Sequence, residues 1–111
     1  MVVLGAHYDT VPEVAGVNDN GSGTAIVLSL AEALAGKSLP FDVKTIDSRS
    51  EELGLLGSRR YIESLTQAEL QRTKDMLNFG AVGTGLMLSI LGGPAIYRSG
   101  VGICLDCWSR T

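Results

Sequence analysis

Two short apolar runs, Val2-Val3-Leu4 and the stretch from Phe41 to Asp47 with Val43, Thr45 and Ile46, are separated by a long segment in which one stretch has helical character. Strands joined in this way do not form a tight hairpin; a parallel pair needs a crossover of about a dozen residues or more, usually a helix. That helix is expected from Thr24 to Ala35, where strong helix formers dominate and Val27, Leu30, Ala31 and Leu34 fall on one stripe. Gly36 follows as its stop, Lys37 complements the negative end of the helix dipole, and Pro40 excludes continuation. The two strands then run parallel, with their carboxyl ends on one side. The fold class that follows is α/β.

Composition supports one small domain. At 45% hydrophobic residues, the 111-residue chain lies well away from the polar composition of disordered segments. A net charge of −3 with no run of Lys or Arg argues against a nucleic-acid partner. The apolar run Leu86 to Leu91 falls far short of the ~20 residues a spanning helix requires, so no membrane span is expected. Met1 to His7 has no basic leader and soon reaches His7 and Asp9, so it reads as a strand and not as a signal peptide, which leaves localisation open.

Further along, Gly54 to Ser58 leads into a helix through Arg59, Tyr61, Ile62 and Leu65, residues read as packing. Thr66 and Glu69 have capping-box spacing for another short helix. Asp75 to Val82 is a third strand candidate and Leu86 to Leu91 a fourth. Cys104 and Cys107 have Cys-x-x-Cys spacing, but no second pair or nearby histidine completes a site, so they are given no chemistry.

Ligands of open α/β sheets collect at the carboxyl ends of the strands. Here the first strand runs into His7-Tyr8-Asp9, the second into Glu51-Glu52, and Gly16-Val17-Asn18-Asp19-Asn20-Gly21-Ser22-Gly23 opens the helix between them. Each piece alone has a plain explanation: a structural histidine, a turn with a helix cap, and a solvated helix start. Their convergence on one sheet edge favours a metal site, for which His7, Asp19 and Glu52 offer suitable zinc ligands. Consecutive glutamates past a strand point differently, so one can hold metal while the other receives a proton from water. A phosphate site at the Gly21-Ser22-Gly23 turn fits poorly, because the Gly-Lys-Ser/Thr of a phosphate loop is absent and Asp19 repels anions.

From about Val2 to Gly85 the sequence resembles the co-catalytic two-zinc aminopeptidases, the family that includes bacterial leucyl aminopeptidases, aminopeptidase Y and glutamate carboxypeptidase II. The resemblance rests on three blocks in order: His-x-Asp at His7 and Asp9, Asn-Asp-Asn-Gly-Ser-Gly at residues 18–23, and Glu-Glu-x-Gly-Leu-x-Gly-Ser at residues 51–58. It implies a three-layer αβα domain with a mixed sheet, here truncated, covering residues 1–98, with residues 99–111 an unassigned tail. It implies two zinc ions, with His7 on one, Glu52 on the other and Asp19 bridging. Asp9 would orient His7 by accepting its second ring N–H, and Glu51 would be the general base. The implied substrate is a peptide or aminoacyl compound with a free N-terminus, and relatives are often secreted.

The chain departs from that pattern at two places. Gly80 follows Asn78-Phe79 where the family carries an aspartate that ligates the first zinc, and the histidine that the family uses downstream has no counterpart, since His7 is the single histidine. Three ligands for two metals predict weakened zinc binding and impaired catalysis. The alternative is a non-catalytic α/β binding module whose exposed sheet edges favour self-association into homo-oligomers.

Overall fold

The computed structural model describes residues 1–84 together with the backbone of residues 90, 91, 103 and 104. Strand β1 (Val2–His7) lies at the centre of a three-stranded sheet, flanked by β2 (Val43–Ser48) and β3 (Asp75–Asn78), and both pairings are parallel. Helix α1 (Gly23–Leu34) joins β1 to β2, and α2 (Leu56–Ser64) with α3 (Gln67–Arg72) joins β2 to β3. Two further short strands, β4 (Ile90–Leu91) and β5 (Ile103–Cys104), pair parallel in a separate ladder. An α/β fold is therefore present. All described strands are parallel, so the antiparallel member that a mixed sheet requires is not among them.

Alternation along the strands divides the sheet into two faces. Leu4 and Ala6 of β1 pack with Val27 of α1 and Phe79, and Val2, Ile26, Leu30, Leu34, Val43 and Leu77 close around them. The stripe expected on α1 holds at Val27, Leu30 and Leu34, while Ile26 and not Ala31 completes the cluster. The opposite face meets α2, where Lys44 of β2 lies 5.0 Å from the ring centroid of Tyr61, a cation–π pair. Helices on both faces give the described part three layers.

The ends of the elements follow from local chemistry. Strand β1 runs through Gly5 to His7, and the ladder to β2 continues with Tyr8 N–H donating to the Ser48 carbonyl at 3.0 Å. Helix α1 stops just before Gly36, which adopts a left-handed φ of 69°. The capping box at α3 forms as expected, with the Glu69 N–H donating to the Thr66 hydroxyl and the Thr66 N–H donating to the Glu69 carboxylate. The third strand ends at Asn78 and does not reach Val82. The N–H groups of Ala81, Val82 and Gly83 donate to side chains of the Asn18–Ser22 turn, so they are not free for a ladder. The expected strand at Leu86 to Leu91 is described at its last two residues; residues 86–89, and Cys107, lie outside the described part. Among the described residues, no helix is long and apolar enough to cross a membrane.

Asp47, on β2, is half-buried, and its Oδ1 has no hydrogen-bond partner among the described residues. Burial raises its pKa above the ordinary carboxylate value. Because the folded pKa exceeds the unfolded one, the ionised carboxylate opposes folding at neutral pH, and that penalty disappears as pH falls through the folded pKa. Asp47→Asn should therefore raise the melting temperature at neutral pH, with the gain shrinking in mild acid; thermal unfolding of both proteins across pH checks this.

Candidate metal centre

His7 ends the central strand and is 6% exposed, with its ring turned to the face opposite α1. Thr24, in the first turn of α1, donates its hydroxyl to the His7 carbonyl at 3.1 Å, which ties the strand end to the helix start. The two ring nitrogens have different surroundings. Nδ1 faces the backbone carbonyl of Asp9 at 3.2 Å and its carboxylate Oδ1 at 3.5 Å. Both are acceptors for a proton on Nδ1, which is one of the two tautomers of the neutral ring. Nε2 is then left with a lone pair, directed at Asp19 Oδ1 at 3.2 Å, with Glu51 Oε2 at 4.0 Å.

In that tautomer the Nε2 lone pair and the carboxylate oxygens face one another, the arrangement that a cation completes. Two ligands each ~2.0–2.1 Å from one tetrahedral zinc lie about 3.3 Å apart, close to the spacing of His7 Nε2 and Asp19 Oδ1. Among the described residues, His7, Glu51 and Glu52 form the group of potential ligands, one atom from each lying within 4.8 Å of the others. Asp19 reaches this group through His7, and its side chain is 59% exposed. The nitrogen and oxygen donors present therefore fit zinc. The structure puts Glu51 in the same group as Glu52, where the sequence separates them into base and ligand.

The two glutamates sit on a turn held from several sides. The N–H groups of Gly54 and Leu55 donate to the Glu51 carbonyl, and Leu56 N–H donates to Ser50. Ser50 (φ 62°) and Leu55 (φ 63°) occupy the left-handed region on either side of the glutamates. Non-glycine residues hold that conformation only where the surroundings impose it. Asp9 supplies part of the constraint, because its carboxylate oxygens accept the backbone N–H of Glu51 at 3.2 Å and of Glu52 at 3.3 Å. Burial is the largest single influence on Asp9 and opposes ionisation. The N–H donors of Glu51, Glu52 and Asp9 itself together outweigh it, His7 adds to them, and the pKa falls below the ordinary value. Asp9 thus orients His7 mainly through its carbonyl, and its carboxylate holds the glutamate turn.

Asp19 lies in the turn Val17–Ser22, where it (φ −110°, ψ 93°) and Asn20 (φ −133°, ψ 42°) depart from helical geometry. Asn20 is 1% exposed, and its side chain holds the turn against the end of β3. The sequence gives no role to Asn18, Asn20 and Ser22 beyond turn and cap composition, because their partners lie about sixty residues away. Beneath His7, a cavity of about 30 Å³ between sheet and α2 is lined by residues that include Gly5, Ser48, Tyr61 and Asn78. Tyr61, read as packing, has its hydroxyl buried there without a partner among the described residues.

Comparison with known proteins identifies relatives of this arrangement. The sequence signature of Peptidase family M28 matches residues 1–91. Aminopeptidase YwaD of Bacillus subtilis (strain 168) is 46% identical over 86 residues, which cover 76% of this chain and 18% of the relative. Leucine aminopeptidase 2 of Trichophyton equinum is 43% identical over 84 residues, covering 76% of this chain and 17% of the relative. Among solved structures, a zinc aminopeptidase from Bacillus subtilis superposes with a TM-score of 0.73 at 42% identity, covering 77% of this chain and 21% of that one. The chain thus spans about a fifth of the length of these relatives.

Asp9→Ala should lower the stability of the metal-free protein by about 1–3 kcal/mol, since two N–H groups lose a charged acceptor. Amide exchange at Glu51 and Glu52 should accelerate more than exchange within β1, as followed by NMR.

Proposed function

The chain belongs to peptidase family M28, and from that membership we propose that it carries the metal-binding segment of a zinc aminopeptidase domain, whose reaction is hydrolysis of the peptide bond after a free N-terminal residue. The observation that carries this reading is the convergence of Asp19 and Glu51 oxygens on the Nε2 side of a histidine whose Nδ1 faces Asp9, with Glu52 in the same group of potential ligands. The names of the relatives, aminopeptidases of bacterial and fungal origin, support the substrate class: peptides or aminoacyl compounds.

His7, Asp19 and Glu52 would hold the metal, and the family resemblance would make Asp19 the carboxylate shared if two ions bind. When bound, zinc supplies a Lewis acid that polarises the scissile carbonyl and brings the pKa of water to about 7. Glu51 receives the proton of the attacking water on a carboxylate oxygen and returns it to the departing amine. Asp9 fixes the ring of His7 and the backbone of the glutamate turn, so both carboxylates are aimed before substrate arrives.

Gly80 stands where the resembled family has a ligand. A Cβ added there meets nothing within 4 Å, and the backbone is not in the left-handed region, so neither sterics at Cβ nor backbone strain opposes an aspartate at this position. The parent chain accordingly holds zinc more weakly than a Gly80→Asp variant. A second reading, a non-catalytic binding or self-associating module, is favoured by Gly80 and by the outer sides of β2 and β3, which are unpaired within this three-stranded sheet among the described residues.

Zinc content per folded chain after dialysis, measured with hydrolysis of an aminoacyl substrate, separates these readings. Gly80→Asp should retain zinc near stoichiometrically. In that background Glu52→Gln should lose the metal, whereas Glu51→Gln should keep it and lose at least ~100-fold in turnover. Stoichiometric zinc in Gly80→Asp without hydrolysis would favour the non-catalytic reading. Zinc retained in a His7→Ala variant would overturn the site itself.

A further inference from the structure

Three consecutive backbone N–H groups beyond β3 each donate to a different side chain of one turn. Ala81 N–H donates to Asn20 Oδ1 at 3.1 Å, Val82 N–H to Ser22 Oγ at 3.1 Å, and Gly83 N–H to Asn18 Oδ1 at 2.7 Å. Asn20 also donates through Nδ2 to the Phe79 carbonyl at 2.8 Å and accepts from Gly23 N–H at 3.1 Å. Ser22 in turn donates its hydroxyl to the Asn18 carbonyl at 2.6 Å. The turn that carries Asp19 therefore grips residues 79–83 at four backbone groups.

From this geometry we infer that Asn18, Asn20 and Ser22 are positioning residues of the metal centre: they clamp the backbone of residues 79–83 to the Asp19 turn and so fix residue 80 beside Asp19. Gly80 is flanked by the two residues that Asn20 binds, and Asn20 is joined by its peptide bond to Asp19. The spacing between a ligand at 19 and a side chain at 80 is thereby set by the protein before any ion binds, which is what outer partners of metal ligands contribute.

Two features show that the clamp imposes geometry on the backbone. Ala81 adopts φ 49°, a left-handed conformation that an alanine holds only against its own preference. Gly23 approaches so closely that a Cβ there would run into the Phe79 carbonyl oxygen and Asn20 Oδ1. The alternation of polar residues at 18, 20 and 22 with Asp19 among them thus divides one motif into two tasks. Asp19 faces His7, and its neighbours face the segment after β3.

The test uses amide exchange in the metal-free protein and zinc affinity in the Gly80→Asp background. Asn18 and Ser22 are partly exposed, so Asn18→Ala and Ser22→Ala accompany the buried Asn20→Ala. Exchange should accelerate about tenfold or more at Gly83 in Asn18→Ala, at Val82 in Ser22→Ala and at Ala81 in Asn20→Ala, with β1 amides unchanged in the first two. Exchange that is unchanged at these amides, or raised evenly over the whole sheet, overturns the clamp. In Gly80→Asp, adding Asn18→Ala should weaken zinc binding about tenfold, and Asn18→Asp, which keeps the acceptor oxygen, should restore it. Unchanged zinc affinity despite accelerated exchange overturns the positioning role. The metal arm rests on the zinc reading; if Gly80→Asp binds no zinc while exchange follows the expected pattern, the zinc reading fails and the clamp stands.

Discussion

Parallel pairing on both sides of β1 is the constraint on which the rest of the structure depends. Because β2 and β3 both run with β1, their carboxyl ends and the loops beyond them collect on one side of the sheet. His7 ends the central strand, and Ser48, its partner on β2, leads directly into Glu51 and Glu52. On the other side Gly5 pairs with Asn78, so Gly80 follows two residues later. A register slip of one residue would turn His7 to the opposite face and remove it from the glutamates.

Parallel strands bring the loops together but do not aim the side chains. That aiming comes from polar groups spent on backbone N–H donors: Asp9 on Glu51 and Glu52, Asn20 on Ala81 and Gly23, Asn18 on Gly83, and Ser22 on Val82. Left-handed backbone at Ser50, Leu55 and Ala81 lies beside these contacts. The site is thus organised by hydrogen bonds between loops, with conformational strain held in place by the sheet beneath.

The elements that sequence reading reached are those whose signal is local. Val2 to Leu4 and the helix around Val27 show their burial through apolar spacing, and Thr66 with Glu69 encodes its own cap. That His7, Asp19 and Glu52 come near one another was legible because residue type, order and position past strands coincide. Contacts with partners far along the chain left no such trace. The termination of β3 at Asn78 depends on side chains about sixty residues earlier, and the apolar run through Val82 gave no hint of it. Asp47 likewise read as the polar end of a strand, although it is half-buried with an oxygen that has no partner among the described residues. The grouping of Glu51 with Glu52 is a matter of side-chain direction, which adjacency in sequence does not supply.

The central claim, that a metal is held by His7 and carboxylates, is tested most directly by zinc-edge X-ray absorption on the zinc-loaded Gly80→Asp protein. The account predicts a first shell of nitrogen and oxygen alone at ~2.0–2.2 Å, with the outer scattering of one imidazole that vanishes in His7→Ala. A sulfur shell at ~2.3 Å would place the metal on Cys104 and Cys107 and contradict the account.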